Sequence, residues 1–371
     1  MSQAPAASPA PRPSQGKVPP SKARRLAIAL RPAWDGPNPF TGMFADAIAA
    51  HGHAVRGFAG GFWQYPRDAD IIVLHWPDEF FVARSLKTNI RALLFLAIKT
   101  ALAALRGQKL VWVVHNIEPH EKNHRPFPLA RRWLFRAVDG LIFLSETSRE
   151  LLYRRWPELR GKAYAVITHG HYKGQALAPQ VPLPALDEGP VKLAYIGQLR
   201  RYKAADTLIE VVGSLPAETV RLDIGGSCNS ADFAEHLTAL VGDRTHVRLS
   251  IGRLSDADME QRVDAAHAVA LPYRDILNSG AALYALSRAR PVLAPRLGSL
   301  VELQAQVGAA WLYLYEGELT AEVVTDFTRW LRATPRGTEP DLSAHEWDEI
   351  GRRLDAFFRH LAGAPTSSLT Q

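Results

Sequence analysis

Leu271-Pro-Tyr-Arg-Asp-Ile-Leu-Asn-Ser-Gly-Ala-Ala-Leu-Tyr-Ala-Leu-Ser-Arg-Ala-Arg-Pro-Val-Leu-Ala-Pro295 decides the fold of this chain. The apolar run Ala268 to Leu271 is cut by Pro272, and the small polar trio Asn278, Ser279 and Gly280 follows. A helix-compatible stretch then runs from Ala281 to Arg288, and a second short strand pattern from Pro291 to Ala294. Strand, small-residue turn, helix, strand is the order in which α/β proteins offer free backbone N–H groups to an anion. The helix N-terminus beside such a turn concentrates about half a positive charge. An anion is therefore expected at Asn278, Ser279 and Gly280, with Tyr273 close by.

The same rhythm extends outward from that stretch. Val191–Ile196, Val220–Ile224 and Val247–Ile251 precede it as β-like runs. Arg25–Leu30, Ile71–His75, Leu110–His115, Gly140–Ser145 and Ala163–Thr168 form an earlier series, with helical patterns between them. Such alternation predicts parallel sheets covered by helices on both faces. The Pro/Leu-rich segment 176–190 lacks periodicity and separates the two series. The expected organisation is a tail over 1–23, a first domain over 24–178 and a linker over 179–190. A second domain over 191–340, a helix over 341–362 crossing back to the first, and a tail over 363–371 complete it.

At 371 residues the chain exceeds one ordinary core. Its 47% apolar and 22% charged residues describe a globular protein rather than a disordered one. The single cysteine, Cys228, excludes an intramolecular disulfide and suits a reducing, cytoplasmic compartment. A net charge of +7 suits a phosphorylated ligand or an anionic lipid surface. Nucleic acid is not expected, because no zinc-ligand spacing or RNA-binding aromatic motif accompanies that charge. Residues 85–106 read as a long basic amphipathic helix, of a kind that lies on anionic membranes or packs on a core.

Several strand ends carry chemistry. After Val191–Ile196, Gly197 allows close backbone approach, while Arg200 and Lys203 offer a planar fork and a point charge for phosphate. In the first half, His75 with Asp78 and Glu79, and His115 with Glu118, His120 and Glu121, follow two strands. Neither group has the spacing of a zinc protease helix, so no metal is expected. A carboxylate or imidazole there could take a proton from an attacking hydroxyl, and His75 and His115 serve equally well as structural histidines. His169, His171 and Tyr172 line the approach to the linker. One of the two histidines could face a leaving diphosphate, and the other could hold the linker.

The motifs His75-Trp-Pro, His115-Asn-x-x-Pro-His-Glu121, His169-Gly-His-Tyr172, Arg200-x-Tyr-Lys203 and Asn278-Ser-Gly280 occur in this order. Ala285-Leu-Ser-x-Ala-Arg-Pro-Val-Leu-Ala-Pro295, Leu314-Tyr-Glu-Gly-Glu318 and Pro335-Arg-Gly-x-x-Pro-Asp-Leu-Ser343 continue the series. Together they resemble the GumI-type β-1,4-mannosyltransferases of xanthan assembly, glycosyltransferase family 94. The resemblance implies a GT-B fold, two Rossmann-like domains facing a cleft. It also implies transfer of mannose from GDP-mannose, with inversion and without a metal cofactor, to a polyprenyl-diphosphate-linked oligosaccharide in exopolysaccharide biosynthesis. The expected location is peripheral, on the cytoplasmic face of the inner membrane. Common retaining GT-B enzymes carry a pair of glutamates eight residues apart, whereas this chain has Asn278, Ser279 and Tyr284 in that region.

The expected mechanism is a single displacement. Glu121 and His120, then Asp78 and Glu79, are the expected bases, and Arg200, Lys203 and the turn amides stabilise the leaving diphosphate. A UDP-sugar-dependent glucosyl- or glucuronosyltransferase, or a non-catalytic assembly subunit of the same fold, are the alternatives.

Overall fold

Strands as uniformly apolar as Ile71-Ile-Val-Leu-His75 need cover on both faces, which a parallel sheet with helical crossovers supplies. The computed structural model describes residues 24–33, 39–58, 66–77, 82–83, 86–117, 125–175, 178–186 and 188–364. The first half contributes β1 (Ala27–Arg31), β2 (Ala54–Gly57), β3 (Ile71–His75), β4 (Val82–Ala83), β5 (Lys109–Val114), β6 (Arg125–Pro126), β7 (Gly140–Phe143) and β8 (Ala163–Val166). β4 and β6 form a small antiparallel ladder, and the others form a six-stranded sheet in the order β2-β1-β3-β5-β7-β8. The second half contributes β9 (Val191–Ile196), β10 (Val220–Gly226), β11 (Val247–Ile251), β12 (Ala268–Ala270), β13 (Val292–Pro295) and β14 (Leu312–Tyr315). Their order is β11-β10-β9-β12-β13-β14, also in parallel. The sequence patterns missed the short edge strands β2 and β14.

Alternation within one strand shows how each sheet is sandwiched. Val111 and Val113 of β5 join Ile28, Val73 and Phe44 on one face. Leu110, Trp112 and Val114 join Leu96, Leu134 and Phe143 on the other. The covering helices are α1 (Pro39–Ala50), α2 (Leu86–Leu105), α3 (Pro128–Ala137) and α4 (Glu146–Arg155). The second sheet is covered by α5 (Ala205–Gly213), α6 (Ala231–Val241), α7 (Asp256–Ala265), α8 (Gly280–Ser287), α9 (Leu300–Val307) and α10 (Ala321–Ala333). There Ala194 and Ile196 pack with Leu283 and Leu286, while Leu193 and Tyr195 pack with Leu208 and Phe233.

The last helix, α11 (Trp347–Leu361), returns to the first half. Ile350, Leu354 and Phe358 enter the core that holds Phe44 and Ile48. Asp355 receives His53 Nε2 at 2.7 Å and Arg359 Nε at 2.6 Å, and Arg359 also donates to the Arg24 carbonyl at 2.9 Å.

The segment expected to link the domains is held down at its start. Arg290, fully buried, donates to the carbonyls of Val181 (3.1 Å) and Pro182 (3.2 Å) and to those of Val263 and Asp264. Arg288 donates to Ala178 O at 2.9 Å and Pro179 O at 3.2 Å, and pairs with Asp264. Residues 178–182 therefore belong mechanically to the second half. Strand order reverses between β1 and β3 in one sheet and between β9 and β12 in the other, and ligands of such sheets bind beyond those strand ends.

Candidate active site

The second-half wall is built from the ends of β9, β10 and β12. Gly197 has φ +118°, and a Cβ on Gly226 would stand 1.7 Å from the Gly197 carbonyl oxygen. Only glycine permits that approach. Lys203 folds back over this point, its Nζ 5.6 Å from the centroid of the Tyr273 ring. Burial, with Arg200 nearby, lowers the Lys203 ammonium to about 8, so at neutral pH it carries a poorly hydrated charge. Arg274 binds the two loops together, its backbone N–H donating to Tyr202 O (2.8 Å) and its side chain to Arg201 O and Thr207 Oγ1.

The turn at Asn278, Ser279 and Gly280 leads directly into α8. Ser279 is the N-cap of α8, its Oγ accepting from the Ala282 N–H at 3.1 Å. The amides of Gly280 and Ala281 open the helix and have no intrahelical acceptor. Burial raises the Tyr273 hydroxyl, which hydrogen-bonds Ser279.

The opposing first-half wall is aromatic and imidazole-rich. Phe40, at the start of α1, has its ring centroid 4.3 Å from that of His169 and 5.2 Å from that of His115. His75 Nδ1 and His115 Nε2 share a hydrogen bond of 2.9 Å, and Trp76 stacks on His115 at 4.4 Å. His75 Nε2 is buried with no partner among the described residues. Burial pushes His75 down to about 3 and His169 to about 4, and holds His115 well below its ordinary value. All three are neutral at pH 7. Tyr172 Oη and His169 Nε2 lie 3.0 and 3.6 Å from where a Cβ on Gly280 would stand, so this wall touches the turn.

The two histidines that the sequence left equivalent separate here. His169 faces Phe40 and Gly280. His171 turns to the crossover, where its Nε2 is 2.9 Å from Glu346 and its carbonyl accepts from Trp347 Nε1. The Asn278 amide reaches across the cleft, its Oδ1 accepting from Ser145 Oγ and its Nδ2 donating to the His115 carbonyl, both at 3.5 Å. The expected bases Asp78, Glu79, His120 and Glu121 lie outside the described residues.

Patterns in the sequence did not single out Arg274, Ser145 or Glu302. Ser145 left a signal, because it and Ser148 form a reciprocal capping box at the start of α4. Glu302 left none, since its partners lie in the other domain.

Two α/β domains whose strand ends face each other, with a cationic loop and a helix N-terminus on one wall, have the GT-B architecture of glycosyltransferases. Solved structures agree on the fold. The Anabaena HepE protein in complex with UDP superposes with a TM-score of 0.61 at 14% identity, over 92% of this chain and 99% of that one. Sucrose-phosphate synthase from Thermosynechococcus elongatus gives a TM-score of 0.57 at 16% identity, over 91% and 96%. More particularly, the chain is similar to a GDP-mannose:glycolipid 4-β-D-mannosyltransferase of Xanthomonas campestris pv. campestris. The identity is 29% over 292 residues, 76% of this chain and 77% of the relative. A second protein of that name from the same pathovar is 29% identical over 291 residues. No protein-family model matches the chain.

Proposed function

We propose that this glycosyltransferase moves mannose from GDP-mannose to a polyprenyl-diphosphate-linked oligosaccharide, forming a β-1,4 linkage with inversion. The observation that carries the proposal is the meeting of Lys203, the Gly197 loop and the α8 N-terminus at the switch point of the second sheet. Three features suited to a diphosphate converge there. The sugar and the acceptor class follow from the similarity to mannosyltransferases.

In the proposed step the acceptor hydroxyl oxygen attacks the anomeric carbon as the bond to the diphosphate oxygen breaks. The hydroxyl proton passes to a first-domain base, for which Glu121 and His120 rank ahead of Asp78 and Glu79. Lys203, Arg200 and the Gly280 and Ala281 amides meet the charge that grows on the departing diphosphate. Preorganised donors of this kind lower the barrier more than most other devices. No metal is needed for that balance of charge.

A peripheral membrane location is part of the proposal. Ile90, Leu94, Ile98 and Leu105 of α2 are 50%, 57%, 45% and 84% exposed, and Leu129 and Trp133 of α3 add 60% and 39%. The spacing puts the α2 residues on one helix face, with Lys87 and Arg91 beside them. Lys87–Leu105 is long and apolar enough to cross a bilayer. Its opposite face, through Leu96 and Ala103, is nonetheless buried in the first-half core. A helix so placed suits lying in the interface of an anionic membrane.

A radiolabelled donor panel with lipid-linked acceptors tests the reaction. GDP-mannose turnover to a β-linked product is expected, and turnover of UDP-sugars alone would overturn the sugar and the nucleotide. Replacing each of Glu121, His120, Asp78 and Glu79 in turn should abolish turnover in one case. Four variants within a few-fold of the parent would remove all four as the base.

A further inference from the structure

α4 begins against the second domain, and its first amides need acceptors. Ser145 supplies one, its Oγ accepting from the Ser148 N–H at 3.0 Å. The amides of Glu146 and Thr147 are taken by a residue 155 or 156 positions away: Glu302 of α9 accepts from Glu146 N at 2.9 Å and Thr147 N at 2.5 Å. The Thr147 hydroxyl donates to the same carboxylate. A carboxylate from one domain thus caps a helix of the other, at the end where negative charge is favoured. Immediately before this joint in the chain, Ser145 contacts Asn278 of the donor turn, and Asn278 in turn contacts the His115 carbonyl. The cavity between Ser145, Asn278, Ser279 and Glu302 measures about 30 Å³, so the two walls are nearly in contact.

The other polar contacts between halves in this region, such as Thr168 to Ala344 O and Tyr172 N to Ser287 Oγ, lie close to where the chain itself passes from one domain to the other. Covalent connection keeps those groups near one another in any domain arrangement. Glu302 has no such tether, and its three bonds join the two domains directly.

We propose that Glu302 is a positioning residue that latches the second domain onto α4 and so holds the donor turn, through Asn278 and Ser145, against His115. The proposal rests on the donor-site assignment above, and its test separates the two. Glu302→Ala, Glu302→Lys and Thr147→Val are compared with the parent by small-angle X-ray scattering, GDP titration and steady-state kinetics. The latch predicts a larger radius of gyration for both Glu302 variants without ligand, shrinking towards the parent value as GDP is added. It also predicts a loss of tenfold or more in kcat/KM for the donor in Glu302→Ala, and a smaller loss in Thr147→Val. Melting temperatures should stay close to the parent's, since no core residue changes. Parental dimensions and parental kcat/KM in Glu302→Lys, where a like charge meets the helix N-terminus, would overturn the latch. Enlarged Glu302 variants in a protein that does not bind GDP would instead leave the latch standing and overturn the donor site.

Discussion

Lowering the pH from 7.5 to 5.5 should destabilise this protein through its cleft histidines before its carboxylates titrate. His75 is 1% exposed, and burial alone pushes it down to about 3. His169 is pushed to about 4 by burial, against the opposing effect of its 2.8 Å bond to the Gly170 carbonyl. In the unfolded chain both would titrate near 6.5. Their folded values are depressed, so the unfolded state binds more protons below pH 6.5 and stability falls with pH. The loss begins near 6.5 and is complete only below about 4 for His169 and about 3 for His75. Over the interval 7.5 to 5.5, each histidine removes on the order of 1 kcal/mol, and the two together on the order of 2–3 kcal/mol. His115 acts in the same direction. Urea unfolding at the two pH values measures the loss, and His75→Asn and His169→Asn should each reduce it by on the order of 1 kcal/mol. A pH slope in both variants equal to the parent's would refute the argument that these imidazoles are held neutral in the folded state.

Lys203→Ala removes a charged donor from the diphosphate and should weaken GDP binding by roughly 10- to 100-fold by calorimetry, at about 1.5–3 kcal/mol for such a bond. Unchanged affinity would move the diphosphate elsewhere. Arg290→Met strands the carbonyls of Val181, Pro182, Val263 and Asp264. It should cost about 3–5 kcal/mol in denaturant unfolding, because the guanidinium is fully buried. Leu94→Glu with Ile98→Glu should release the protein from anionic vesicles in a sedimentation assay without lowering its melting temperature. Full vesicle binding by that double variant would place the membrane contact on another face.

Much of the fold was legible because its strands are short apolar runs between turns, and their spacing alone implies crossovers. β2 and β14 were not. Ala54-Val-Arg-Gly57 is half exposed, and both are four-residue edge strands whose pairing comes from the neighbouring strand rather than from their own pattern. Gly197, Lys203 and Ser279, which the sequence places after strand ends, do lie together on one wall of the cleft, each within ten residues of the end of β9 or β12. What the sequence hid depends on distant partners. Glu302 reads as an ordinary acidic residue until α4 lies beside it, and nothing in the sequence pairs Asn278 with Ser145. His169 and His171 share one dipeptide spacing, and only the path of the backbone between them sends one to the cleft and the other to Glu346.

The anchoring of residues 178–182 by Arg288 and Arg290 bears on how the two domains can swing. A loose tether would allow tumbling in all directions, but this stretch is splinted to one body. Two neighbouring chain passages between the domains, 167–173 and 342–347, are laced together by the backbone bond from His171 to His345 and by the His345 ring on the His169 carbonyl. Two parallel straps fastened side by side act as one axle. That pairing favours one rotation of the domains over free tumbling, with the two walls of the cleft kept in register along the axis. Lengthening the chain at 183–189 should leave the rotation untouched, whereas a single insertion at 170 would disturb it.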